Sequence, residues 1–154
     1  MILVTLGTQK QQFTRLLDYI EESYINDEII VQAGYTEYRS SKMKIFDFID
    51  YDEMNKYLDN ADLIITHAGT GSIVSALQKN KKVIACARKS EYQEHVDNHQ
   101  EEIVSVFYEE GYILKIDDSI NLDEIMKNIN KFKPKKFVSN TNNFKKKLKK
   151  EINK

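Results

Sequence analysis

The sequence predicts an α/β fold, a doubly wound parallel sheet, and three observations predict it. Apolar runs of strand length recur along the 154 residues and alternate with segments of helical period. The runs are continuous and rich in β-branched residues, as in strands covered by helices on both faces. Several of them end in a glycine, at Gly7, Gly34 and Gly69, where a strand must turn toward the next helix.

Residues 2–6 read as the first strand, and 11–24 as a helix with Phe13, Leu16, Leu17 and Ile20 on one face. Residues 28–33 form the second strand. Residues 44–49 are a third, whose mixed polarity suits an exposed place in the sheet. Asp52 is expected to cap a short helix with Met54, Tyr57 and Leu58 inward. Residues 61–77 read as a buried strand, a small-residue turn and a helix capped by Thr70 or Ser72. The fifth strand covers 82–87, a long helix about 96–110, and a sixth strand 112–116. A last helix over 121–131 is capped by Asn121 or Asp123. Pro134, the single proline, is expected to mark the edge of the compact domain at 1–130. Beyond it, 131–154 reads as a basic tail with a weak apolar stripe at Phe144 and Leu148.

Composition narrows the class. Hydrophobic residues are 41% and charged residues 31%, which suits a soluble globular chain of one domain. No apolar run is long enough to span a bilayer, and the N-terminus lacks the basic region of a signal peptide. The single cysteine, Cys86, sits in an apolar strand and reads as a buried structural thiol. Net charge is −1, unevenly spread: residues 131–154 carry +9, which leaves −10 on the remaining 130. A basic tail on an acidic body points to an anionic surface or an acidic partner rather than to nucleic acid; a solvated, frayed end fits equally.

In a doubly wound sheet, ligands sit at the carboxyl edge of the strands. The loops delivered there are 7–9, 34–35, 67–72 and 88–100, which hold most of the glycine and all three histidines. Two of them carry chemistry. Gly69, Thr70, Gly71 and Ser72 form a glycine turn ahead of a helix N-terminus, a ready site for a phosphate or diphosphate; a ligand-free tight turn is the alternative. Residues 91–102 are the densest polar cluster. His95 and His99, four apart, could share a helix face with a carboxylate and bind a metal, although no third ligand is fixed by spacing. No motif supports a Cys–His or Ser–His nucleophile. The third reading is that polar side chains at a helix start meet the hydroxyls of a sugar or ribose.

Taken together, residues 61–72, residues 94–100 and the N-terminal Val4-Thr5-Leu6-Gly7-Thr8 resemble the C-terminal domain of family 28 glycosyltransferases. The resemblance covers about residues 1–130. It is strongest to the short bacterial subunits of capsular and exopolysaccharide transferases, of the PssE-like and β-1,4-galactosyltransferase type. These are relatives of the catalytic subunit of the eukaryotic dolichol-linked GlcNAc transferase. The resemblance implies a Rossmann-like fold equivalent to the C-terminal half of a GT-B enzyme. It implies that Gly69, Thr70, Gly71 and Ser72 hold the diphosphate of a UDP-sugar, and that Gly7 and Thr8 line the other side of the cleft. Asn98, His99 and Gln100 match the segment that reaches the donor sugar. Glu94 and Asp97 would accept hydrogen bonds from ribose or sugar, and Arg88 would offset diphosphate charge without a metal. His67 and His95 are the local candidates for a catalytic base. Relatives often carry a glutamate where this chain has Ser75, which leaves the ribose contact open.

One Rossmann-like unit is half a GT-B enzyme. The resemblance therefore implies a membrane-anchored partner that supplies the acceptor half, with this chain peripheral at the cytoplasmic face of the plasma membrane. The implied reaction is inverting transfer of a hexose, galactose favoured, from a UDP-sugar to a lipid-diphosphate-linked saccharide. Two other readings stand beside it: a non-catalytic activator subunit, and an unrelated flavodoxin-like mononucleotide module.

Overall fold

Six strands pair in parallel in the order β3-β2-β1-β4-β5-β6. They are β1 (Ile2–Thr5), β2 (Ile29–Gln32), β3 (Met43–Phe46), β4 (Leu63–His67), β5 (Lys82–Cys86) and β6 (Leu114–Ile116). The helices are α1 (Thr14–Glu22), α2 (Tyr51–Asn60), α3 (Thr70–Gln78), α4 (His99–Glu109) and α5 (Leu122–Lys127). The structure is a computed structural model and describes residues 1–138 together with Lys146, Leu148 and Lys149. The order is that of a doubly wound Rossmann sheet, and it reverses between β1 and β4.

Alternation along each strand divides the core in two. Ile2, Val4, Val31, Ile65 and Ile84 pack against Phe13, Leu16, Leu17 and Ile20 around α1, and against Leu122 and Ile125 of α5. On the other face, Leu3, Ile30, Ile64, Val83 and Ala85 meet Leu58 of α2, Ile73, Ala76 and Leu77 of α3, and Val104 and Phe107 of α4. Phe13, Leu16, Leu17 and Ile20 are fully buried, and each such side chain contributes roughly 1.5–3 kcal/mol. The register Ile2↔Leu63 to Thr5↔Thr66 sets β1 and β4 level, so their carboxyl ends open together at the reversal.

The elements expected from sequence are present, with four corrections. The short helix is capped by Asp50, whose carboxylate accepts the Glu53 N–H at 2.8 Å; Asp52 lies in the first turn instead. The cap of α3 is Gly69, and neither Thr70 nor Ser72 makes a side-chain cap bond. The long helix begins at His99, not near 96, because Gln93 takes a left-handed conformation (φ 59°) and the chain turns through 93–98. Finally, the chain does not leave the body at Pro134. Lys135 donates its N–H to the Gly111 carbonyl at 3.0 Å, and Phe137 packs edge-on to Tyr112, ring centres 5.2 Å apart. Leu148 also packs on this face, whereas Phe144 lies outside the described residues. Asn121 caps α5 as expected, accepting the Glu124 N–H at 2.9 Å.

Candidate functional site

The crevice opens where β1 and β4 end, and His67 forms its base. The imidazole lies between two glycine backbones: a methyl group on Gly7 would come 2.5 Å from Nε2, and one on Gly69 2.5 Å from Cε1. Gly7 is further committed by its left-handed backbone (φ 75°). The Gln32 side chain clamps it, accepting the Gly7 N–H at 3.2 Å and donating to the Gly7 carbonyl at 3.1 Å. Burial above all, and then the neighbouring Arg88 guanidinium, pushes His67 down to about 4, so the ring is neutral near pH 7.

In front of this base stands the N-terminus of α3. Its first N–H groups, at Thr70, Gly71 and Ser72, precede any intrahelical acceptor, and no side chain caps them. A methyl group on Gly71 would meet nothing within 4 Å, so open space faces the positive end of the helix. Gly71, Ser72 and Ser75 border a cavity of about 240 Å³ between α3 and α2, closed by Thr5, Gln32, Tyr51 and Asn55. A larger cavity of about 470 Å³ lies at the opposite edge, among Asp27, Asp62 and Lys81. That edge carries the amino ends of the strands, away from the α3 N-terminus, so the smaller cavity is the better anion site.

Behind the crevice runs a buried polar network. The Gln100 carbonyl oxygen accepts the N–H groups of Ala68 (3.3 Å) and Arg88 (2.9 Å), stitching the ends of β4 and β5 together. Its amide nitrogen lies 3.4 Å from His67 Nδ1. Arg88, only 1% exposed, donates to the carbonyls of Leu6 (2.8 Å), Gln11 (2.8 Å) and Glu94 (3.0 Å) and lies over the Phe13 ring. Burial lowers its guanidinium to about 10, with Glu94 working against the shift. The Glu94 carboxylate takes Arg15 at both oxygens, 3.0 and 2.9 Å, and accepts the Lys89 N–H at 3.0 Å. Burial is the largest single influence and works against the Arg15 charge, but the hydrogen bonds to Glu94 and Tyr19 and the charge around them together hold that guanidinium above its usual range.

Comparison with known proteins decides the lineage. The chain matches the glycosyltransferase family 28 C-terminal domain over residues 1–154. It belongs to that family. It is 38% identical over 95 residues to the UDP-N-acetylglucosamine transferase subunit ALG13 of Candida albicans, which covers 62% of this chain and 31% of that protein. The Saccharomyces cerevisiae subunit of the same name is 40% identical over 75 residues, 48% of this chain and 35% of that protein. The chain thus spans about a third of the length of these two relatives. Among solved structures, the solution structure of ALG13 matches with a TM-score of 0.60 at 23% identity, covering 96% of this chain and 94% of that one. The glycosyltransferase SnogD from Streptomyces nogalater matches at 0.57 and 12% identity, covering 99% of this chain and 39% of that one. These likenesses carry the fold: a Rossmann-like sheet equivalent to the C-terminal half of a GT-B glycosyltransferase.

On this family 28 domain the residues singled out from sequence divide into two groups. Gly69, Thr70, Gly71 and Ser72 gather at the α3 N-terminus beside Gly7, and Thr8 is exposed at the rim. Arg88, Glu94 and Gln100 do not reach the crevice as ligand groups. They are buried and bonded to backbone and to one another, so they hold the loops that form it. His67 is likewise buried beneath the turn, with Nε2 3.5 Å from Ser72 Oγ and Nδ1 3.4 Å from the Gln100 amide. His95 lies in the turn ahead of α4, so it shares no helix face with His99, and the pair does not form the helical metal arrangement. Among the described residues no three His, Cys, Asp or Glu side chains gather to hold a metal ion. Asp97 accepts the His99 N–H at 3.0 Å and lies 3.2 Å from His95 Nδ1, and Asn98 accepts both the N–H and the hydroxyl of Ser90 at 3.0 Å. Thr5, Gln32, Tyr51 and Asn55 were missed. Thr5 and Gln32 had one signal: each is a polar residue ending an otherwise apolar strand.

Proposed function

We propose that this chain is the donor-binding subunit of a two-component inverting glycosyltransferase. The observation that carries it is the uncapped α3 N-terminus facing open space at Gly71, beside a cavity large enough for part of a nucleotide. The diphosphate of a UDP-sugar accepts the N–H groups of Thr70, Gly71 and Ser72, and the helix dipole offsets its charge without a metal. The nucleoside extends into the cavity by Ser75, where Asn55 and Tyr51 offer polar contacts. Asn98 and His99, at the start of α4, are the contacts toward the sugar.

The relatives' name supports UDP-N-acetylglucosamine as the donor over the galactose expected from sequence. A second polypeptide supplies the acceptor half and brings the lipid-linked saccharide, which places the chain at a membrane face through that partner; exopolysaccharide assembly is the setting the bacterial resemblance supports. For the chemistry, the helix-bound diphosphate stabilises the departing UDP while a base takes the acceptor hydroxyl proton. His95 keeps that role. Its Nδ1 accepts the Asp97 N–H at 3.2 Å, which puts the neutral ring's hydrogen on Nε2. Nε2 therefore serves as the base only after that hydrogen exchanges to Nδ1, where the Asp97 carboxylate, also 3.2 Å away, accepts it.

Calorimetric titration of the purified chain with UDP, UDP-N-acetylglucosamine and UDP-galactose, in the absence of metal, tests the donor site. Binding that favours one UDP-sugar is expected. Failure of every uridine nucleotide to bind, both to the chain and to its complex with the partner, overturns the reading. With the complex in hand, His95→Ala should lower kcat by on the order of 100-fold or more and leave UDP affinity intact. An unchanged kcat removes His95 from the chemistry.

A further inference from the structure

We propose that Gln100, acting through His67, sets the direction of the hydrogen bond at Ser72 so that the Ser72 hydroxyl hydrogen is kept for a bound phosphate oxygen. The inference rests on the diphosphate reading above for its ligand, and on hydrogen-bond chemistry alone for everything else.

The starting point is a pair of backbone donors. Ala68 N–H and Arg88 N–H, at the carboxyl ends of β4 and β5, both point at one atom of the Gln100 amide. Only the carbonyl oxygen can satisfy them; the –NH₂ group in that place would oppose two donors with two more. The amide is therefore fixed, and its nitrogen faces His67 Nδ1 at 3.4 Å. A donor on that side makes Nδ1 the acceptor, and a neutral imidazole that accepts at Nδ1 carries its hydrogen on Nε2. Burial beside Arg88 and His95 keeps the ring neutral, so this single hydrogen is all it has. Nε2 lies 3.5 Å from Ser72 Oγ and donates to it. The serine oxygen is then the acceptor of that contact, and its own hydrogen is free to turn toward the α3 N-terminus.

The direction of the chain matters because an anion only accepts. With the opposite tautomer, Nε2 would accept the Ser72 hydrogen, and the serine would present lone pairs to a phosphate. Gln100 is 4% exposed and sits behind the crevice, so it is a positioning residue that acts without touching the ligand. The same network explains why the imidazole lies so close to Gly7 and Gly69: its ring is held by hydrogen bonds at both ends.

The test is nitrogen-15 NMR of the 154-residue chain labelled at histidine, at neutral pH and without ligand. The expected result is a neutral His67 with the proton on Nε2; a proton on Nδ1 overturns the proposal. Gln100→Glu keeps the acceptor for the two backbone donors but turns a second acceptor toward Nδ1. It should move the proton to Nδ1 and weaken UDP binding about tenfold, the scale of one hydrogen bond to a charged acceptor. Added negative charge could weaken UDP as well, so Ser72→Ala supplies the control. In that background Gln100→Glu should cost little further affinity, whereas a second full loss shows that the effect bypasses Ser72 and refutes the proposal. Absence of UDP binding both to the chain and to its complex with the partner removes the donor reading, and the unliganded tautomer still decides the hydrogen-bond direction.

Discussion

Replacing Gly71 first by alanine and then by leucine separates what the fold needs from what the ligand needs. Gly71 lies in the first turn of α3, outside the positive-φ region, and a side chain there meets nothing within 4 Å. Alanine in a helix is favoured over glycine by about 0.5–1 kcal/mol. For a chain of this size that raises Tm by roughly 1–4 °C. Leucine should fold equally well, since its side chain projects into open space. It projects, however, across the N–H groups that the diphosphate must reach. Losing two hydrogen bonds to a charged group, at about 1.5 kcal/mol or more each, weakens UDP by on the order of 100-fold. Thermal unfolding and calorimetric titration of the two variants check both halves. A Tm several degrees lower in Gly71→Ala would show that the glycine serves the backbone, and wild-type UDP affinity in Gly71→Leu would remove the diphosphate from this helix end.

The neighbouring glycine behaves oppositely: Gly69→Ala drives a methyl group to 2.5 Å from the His67 ring and should destabilise by about 1–3 kcal/mol, read by urea unfolding. Acid should weaken the fold through His67. Its folded value of about 4 lies below the unfolded 6.5, so the unfolded chain binds the proton first, and stability is constant above about pH 6.5 and falls by up to about 3 kcal/mol as the pH drops through about 4. Urea titrations across that window, compared with the imidazole titration by NMR, check the slope. Glu94→Ala leaves Arg15 facing an apolar gap and should cost about 3–5 kcal/mol, measured by chemical unfolding, with the double variant Arg15→Met/Glu94→Ala recovering part of it.

The sheet was legible because its information is local. Runs such as Leu63-Ile64-Ile65 and Val83-Ile84-Ala85 declare buried strands without reference to the rest of the chain. The glycine turn was legible for the same reason, as a strand, two glycines and a helix in sequence. What could not be read is who answers whom across the crevice. Arg88 reaches Leu6 across 82 positions and Arg15 reaches Glu94 across 79. Local spacing offers charged residues near a phosphate site, and they read naturally as ligand groups. Only the closed fold shows that their partners are carbonyls and one another. Gly69 and Gly71 illustrate the same limit: two glycines of one turn look alike in sequence, yet one makes room for a histidine and the other for solvent or ligand. The start of α4 was misplaced because apolar period cannot register a single left-handed residue at Gln93.

Cys86 ends β5, fully buried and directly across the ladder from His67, with its thiol pushed up to about 12 by burial. It is the only cysteine in the chain. An alkylating reagent therefore has one target, and reaches it only when the central strands part. The rate of its modification is a single-site measure of how often the carboxyl edge of the sheet opens. Any molecule that occupies the crevice and holds β4 and β5 together slows that rate in proportion to its saturation. The native chain thus reports occupancy of its own crevice without an introduced label, at a position that touches no ligand.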